Sequence, residues 1–70
     1  MFWKVSDIAL DYEKPGDEII ADRIEADNPR AAIIAALTAI SPGYIPDLLR
    51  SYPDGVEKFI LPDYDAERVA

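Results

Sequence analysis

The chain has 70 residues, half of them are hydrophobic, and its formal net charge is −7. This hydrophobic content lies far from the composition of disordered chains, so we expect a small folded protein. The negative charge repels phosphate groups and anionic lipid headgroups, which argues against direct binding to nucleic acid or to a membrane.

The first two predicted elements form a β-hairpin. Residues 2–12 are rich in aromatic and β-branched types and are predicted to form the first strand. Their apolar side chains occupy both parities, so either a bulge near Ser6 and Asp7 brings them to one face or the strand is central. The KPGD sequence at 14–17 favours a type II turn, and residues 18–26 are predicted to return as the second strand.

Alternation along the hairpin indicates which side chains face the core. Ile20, Ile24 and Ala26 share one face of the second strand, with Asp22 as the exception. Trp3, at the start of the first strand, is most simply an anchor of the hydrophobic core.

A helix is predicted over residues 29–40. Asn28 can accept a hydrogen bond from a free amide of the first turn, and Pro29 suits the first helical position. The SPG sequence at 41–43 is expected to end the helix, because proline cannot continue it and glycine can turn the chain.

The predicted helix has two kinds of surface. Ile33, Leu37, Ile40 and, at the margin, Ile34 form a stripe that is expected to pack on the sheet. The opposite arc, which we call the alanine arc, is either a solvent face or a close-packing surface. Its members are Ala31, Ala32, Ala35, Ala36 and Ala39.

The second half of the chain continues with shorter elements. Residues 44–52 are predicted to form a short helical turn with Leu48 and Leu49 pointing inward. The YPDG sequence at 52–55 favours a turn, and residues 56–62 are predicted to form the third strand.

These elements predict an α+β fold in the order ββαβ. The chain directions make the third strand antiparallel to the first, and pairing these two gives a three-stranded sheet in the order 2-1-3. One main helix covers one face of the sheet. We expect residues 1–62 to form a single domain and residues 63–70 to form an acidic tail, as a short helical turn or without order.

The sequence offers little catalytic chemistry. It contains no histidine and no cysteine, which removes the commonest acid–base group and the best nucleophile. No serine triad and no glycine-rich phosphate loop is present, and the DYD sequence at 63–65 lacks the glycine and distal glutamate of a calcium loop. We therefore predict a protein that is not an enzyme and that binds no cofactor and no metal.

Targeting signals are also missing from the sequence. Ser6 and Asp7 interrupt the first apolar run, so it does not read as a signal peptide. The longest apolar run, 31–37, is much shorter than the roughly 20 residues that cross a bilayer. A cytoplasmic location is the expectation.

Partner binding is predicted to involve the acidic hairpin and the tyrosine-bearing turns, since carboxylates steer a basic partner and tyrosine is common at interfaces. The candidate residues are Asp11, Glu13, Asp17, Glu18, Asp22, Glu25, Tyr44 and Tyr52.

Three functional hypotheses follow. The first is a protein-binding module of the adaptor or inhibitor type, which uses the sheet edge, the tyrosines or the alanine arc. The second is an inhibitor that mimics nucleic-acid charge and blocks a basic nucleic-acid-binding protein, such as a defence, CRISPR or transcription protein. Small acidic inhibitors from phages and plasmids are similar in size and charge. The third is a structural homo-oligomer built through the alanine arc or an open strand edge.

Overall fold

A computed structural model describes residues 1–9 and 18–70. The predicted turn at 14–17 and the candidate residues Asp11, Glu13 and Asp17 lie outside the described residues. The elements, in chain order, are β1 (Phe2–Asp7), β2 (Glu18–Glu25), α1 (Pro29–Ile40), α2 (Tyr44–Ser51), a π-helical turn (Val56–Ile60), a 3-10 turn (Leu61–Asp63) and β3 (Tyr64–Arg68).

The sheet has three antiparallel strands in the order β2-β1-β3, as predicted. Trp3 and Val5 of the central strand point toward the helices and are buried. The indole Nε1 of Trp3 donates a hydrogen bond of 2.9 Å to the carbonyl oxygen of Ala26. The prediction that Trp3 anchors the core is confirmed.

The pairing of β1 with β2 is irregular. Between Trp3 and Val5 the partner on β2 advances by three residues, from Ile24 to Ala21, and a second shift follows between Val5 and Ser6. Both shifts insert an extra residue into β2, so the bulge suggested for the first strand lies in the second strand instead.

These bulges explain the broken alternation of β2. Ala21 and Ile24 both pack against the core although their parities differ, and Ile20 and Ala26 join them there. Asp22 lies in the irregular part of the strand and is exposed. The acidic exception on the predicted apolar face is therefore a residue that the bulge turns outward.

The predicted limits of α1 are confirmed. The side-chain Oδ1 of Asn28 accepts a hydrogen bond of 2.8 Å from the amide of Ala31, which caps the first turn. At the other end, the amide of Ser41 donates a hydrogen bond of 2.9 Å to the carbonyl of Leu37. Pro29, the Asn28 cap and the Ser41 cap together limit α1 to 12 residues.

The buried face of α1 differs from the predicted stripe. Ile33 and Leu37 are buried, as expected, but so are Ala32 and Ala36. Ile40 is 62% exposed, so its predicted contact with the sheet is wrong. The buried face of α1 therefore combines Ile33 and Leu37 with two small side chains, and it does not extend to the last residue of the helix.

Sequence reasoning misplaced the third strand. Residues 56–62 form the π-helical turn and most of the 3-10 turn, whereas the strand that pairs with β1 is Tyr64–Arg68. The prediction that residues 63–70 form a helical turn or a disordered tail is therefore also wrong. Five consecutive β1–β3 partners, from Trp3 with Arg68 to Asp7 with Tyr64, incorporate this segment into the sheet.

The physical reason for the helical turn is a four-residue spacing. Val56 and Ile60 are four residues apart and both are buried, which matches a helix better than a strand. Asp54 and Lys58 have the same spacing and form an ion pair of 3.2 Å. Both spacings favour a helical turn over the strand that the residue types predict.

The predicted helical turn at 44–52 is the two-turn helix α2. Ile45 is buried and Leu48 packs against the core, but Leu49 is 39% exposed, so its predicted inward position is wrong. The turn at 52–55 is confirmed by a hydrogen bond of 2.9 Å from the amide of Gly55 to the carbonyl of Tyr52. Among the described residues, no single helix is long and apolar enough to span a membrane, and α1 and α2 qualify only as a pair bent by 113°.

Candidate protein-binding site

The structure separates the candidate residues that the sequence suggested. Glu18, Asp22 and Glu25 lie along β2, at the sheet edge farthest from β3. Tyr44 begins α2 and Tyr52 follows its last residue, so both are placed by helices and not by the sheet. The described candidates do not form one continuous site, although Glu18 and Tyr44 both lie near Tyr64.

Tyr52 takes part in an exposed aromatic contact. Its ring meets the ring of Phe59 edge-on, with centroids 5.2 Å apart and an interplanar angle of 77°. Both rings are about half exposed. The contact joins the end of α2 to the π-helical turn, and edge-to-face pairs of this kind stabilise local structure.

One end of the sheet is acidic. Burial raises the pKa of the Tyr64 hydroxyl, and the carboxylate of Asp7 raises it further, followed by Tyr44, Asp63 and Glu18. These groups therefore gather near the first residue of β3. Of the partner-binding candidates, Tyr44 and Glu18 are thus brought to this end of the sheet.

A groove lies between the first turns of α1 and strand β3. Its volume is about 580 Å³. Its wall is mostly apolar. The lining residues are Asn28, Pro29, Arg30, Ile33, Leu61, Tyr64, Asp65 and Ala66.

An ion pair fixes one rim of this groove. The guanidinium of Arg30 donates from Nε at 3.1 Å and from Nη2 at 2.8 Å to the same oxygen, Oε1 of Glu57. The hydrogen bond from Arg30 lowers the pKa of the Glu57 carboxyl below its usual value of 4.5. The pair ties α1 to the π-helical turn and holds the Arg30 side chain, which lines the groove.

Strand β3 is the other wall of the groove, and its hydrogen bonds follow a simple alternation. The amide of Ile8 donates to the carbonyl of Asp63 at 2.9 Å, and the amide of Val69 donates to the carbonyl of Phe2 at 2.9 Å. Hydrogen-bonded and non-hydrogen-bonded pairs alternate along an antiparallel ladder. The odd-numbered residues of β3 therefore direct their amides and carbonyls toward β1.

The even-numbered residues direct the same groups away from β1. Tyr64, Ala66 and Arg68 thus present backbone donors and acceptors along the outer edge of β3. Within residues 1–9 and 18–70, no strand pairs with this edge. The side chains of Tyr64 and Ala66 also line the groove, so the open edge and the apolar groove belong to one surface.

The opposite face of the sheet is charged near β3. Lys4 forms an ion pair of 3.3 Å with Glu67, and Asp65 is exposed on the same side of the strand. A shallow depression of about 230 Å³ beside them is also lined by Ile8 and Ile19. The side chains of Asp65 and Glu67 therefore lie on the face of β3 opposite the groove and α1.

This edge was not predicted from the sequence, because residues 63–70 were expected to form a tail. The alternation of Tyr64 and Ala66 with Asp65 and Glu67 was the available signal, since it matches a half-buried strand. Nothing in the sequence indicated that the groove would form beside it.

Neither a metal site among the described residues nor a known relative was found that would point to a function. Within the described part of the chain, no group of three or more His, Cys, Asp or Glu side chains could hold a metal ion. No protein family, curated protein or solved structure matches the chain in sequence or fold comparisons.

Proposed function

We propose that this chain is a small acidic, non-enzymatic module that binds an extended segment of another protein along the outer edge of β3. The observation that carries the proposal is a strand edge that no other described strand covers, beside an apolar groove of about 580 Å³. In strand addition, the backbone of the edge supplies hydrogen bonds and a neighbouring pocket receives alternate side chains.

The two edges of the sheet are not equivalent. β2 carries two register shifts, and bulges of this kind discourage a further strand from pairing. β3 has a regular register with β1 over five consecutive pairs. A regular edge beside an apolar groove is the better template for an added strand.

A second candidate function is the inhibitor that mimics nucleic-acid charge. The observation that favours it is the gathering of Asp7, Glu18 and Asp63 near Tyr64 at one end of the sheet. This function predicts a basic, nucleic-acid-binding partner whose capture fails at high salt and after Glu18→Gln with Asp63→Asn. Strand addition predicts capture that depends on the β3 edge instead.

The experiment is a pull-down with the tagged chain from an extract of its native cells. Ala66→Pro removes an outward amide donor without removing a donor to β1, so the sheet is retained while the edge is blocked. Arg68→Pro removes a second outward donor at the strand end, which gives an independent check if the first variant folds poorly.

Phe59→Ala serves as the control, because it alters the exposed aromatic contact and leaves β3 unchanged. A partner lost with both proline variants and retained with Phe59→Ala supports the proposal. A partner retained with both folded proline variants overturns the proposal. Loss of the partner with Phe59→Ala alone would show that the binding surface is the Tyr52–Phe59 pair.

A further inference from the structure

The partner of the β3 edge can be specified by its side-chain pattern. Resting on the proposed function, we infer that the bound segment alternates apolar residues with lysine or arginine residues. The apolar residues enter the groove beside α1, and the basic residues lie on the opposite face beside Asp65 and Glu67.

The groove determines one half of this pattern. In a pair of strands, residues directly opposite each other point to the same face. Residues opposite Tyr64 and Ala66 therefore point to the groove side, where Ile33 and Leu61 complete an apolar wall. Apolar side chains at these positions exchange water contact for contact with that wall.

Charge determines the other half. Residues of the added strand that alternate with the groove positions lie opposite Asp65 and Glu67. Both of these side chains are exposed, and the exposed Glu67 carboxylate is shared with Lys4 at 3.3 Å. Oppositely charged residues facing each other across strands are favourable, whereas like charges are not. The formal charge of −7 adds a long-range attraction for a basic segment.

The same reasoning disfavours a second copy of this chain as the occupant. In two-fold antiparallel pairing through the outer edges, residues with outward amides oppose each other, and so do the residues between them. In the register centred on Asp65, the residues Asp63, Asp65 and Glu67 of one copy would therefore face the same three residues of the other, and in the register centred on Ala66, Asp65 would face Glu67. Repeated carboxylate pairs destabilise such a dimer, so the charge pattern fits a different, basic chain.

The test is a calorimetric titration of the folded protein with a capped peptide of alternating valine and lysine. A peptide of the same composition with its valines and lysines in two blocks tests the alternation. A peptide of alternating valine and glutamate tests the charge. We expect measurable binding of the first peptide only.

Matched protein variants separate local pairing from overall charge. Asp65→Asn with Glu67→Gln removes two carboxylates at the β3 edge, and Asp22→Asn with Glu25→Gln removes two at the β2 edge. The first double variant should bind the valine–lysine peptide about three- to tenfold more weakly, because each cross-strand charge pair is modest. The second should bind it nearly as well as the original chain.

Equal binding of the alternating and block peptides, or equal weakening in both double variants, overturns the inferred pattern. Failure of the valine–lysine peptide, combined with loss of the captured partner in Ala66→Pro, would show that the edge binds a segment of different composition. Capture that survives Ala66→Pro would instead overturn the proposed function itself.

Discussion

Ala66 of β3 lies directly opposite Val5 of β1, and Val5 is completely buried. The last strand therefore covers part of the core that the helices also enclose. Its inner side supports the fold, while its outer edge is open among the described residues. This double position makes β3 the element on which both stability and the proposed binding depend.

Removal of residues 64–70 is predicted to abolish cooperative folding. The shortened chain would lose the β1–β3 ladder and expose Val5, and a domain of this size has little stability to spare. Thermal unfolding followed by circular dichroism measures the effect. An unchanged unfolding midpoint would mean that the segment is a dispensable tail.

Gly55→Ala is predicted to lower the free energy of unfolding by about 1–3 kcal/mol through overpacking. An added Cβ at Gly55 would lie 2.8 Å from Cγ of Leu48 and 3.2 Å from Cβ of Tyr52. Gly43→Ala is the matched control, because its Cβ would lie 3.7 Å from the Asp47 carboxylate, an ordinary contact. Denaturant unfolding of both variants provides the comparison, and equal stability would contradict the tight packing at Gly55.

Ala36→Leu is predicted to destabilise the fold by about 1–3 kcal/mol, since the larger side chain does not fit between α1 and the sheet. Ala36 is only 1% exposed. Ala39→Leu, on the exposed part of the same alanine arc, should leave stability nearly unchanged. Similar losses in both variants would show that the whole arc is packed.

The Arg30–Glu57 pair is predicted to stabilise the fold in neutral solution and to lose its effect in acid. The pKa of Glu57 is lowered in the folded chain from the usual value of 4.5. Its contribution is therefore complete above pH 4.5 and disappears as the pH falls through the lower, folded pKa.

The measurement is the thermal midpoint of the original chain and of Glu57→Gln across this pH range. The original chain should be the more stable of the two at pH 7, and the difference should close below pH 4.5. A difference that persists unchanged in strong acid would assign the effect to packing and not to charge.

Much of the fold could be predicted from local signals. Asn28 and Pro29 fix the start of α1, and the strand order follows from the directions of the elements and the doubly apolar first strand. The helix start depends on residues that are close in sequence, and the strand order depends on the direction of each element and on the apolar pattern of the first strand. Their physical causes are therefore visible without a structure.

The errors arose where tertiary contacts decide between local alternatives. Val56 and Ile60 belong to types that favour strands, yet their four-residue spacing buries them together in a helical turn. The segment after Pro62 has little apolar content of its own, and it is ordered as a strand through pairing with β1. The candidate groove depends on the helical turn before Pro62 and on the strand after it, so the sequence alone could not locate the groove.

Amide hydrogen exchange at β3 tests the central claim most directly. In the free chain, the amides of Asp65 and Glu67 should be protected by β1, whereas those of Ala66 and Arg68 should exchange rapidly. Addition of the valine–lysine peptide should protect Ala66 and Arg68 as well. Peptide binding without new protection of the Ala66 and Arg68 amides would contradict strand addition at this edge. Slow exchange of all four amides in the free chain would also contradict it, because the edge would then already be covered.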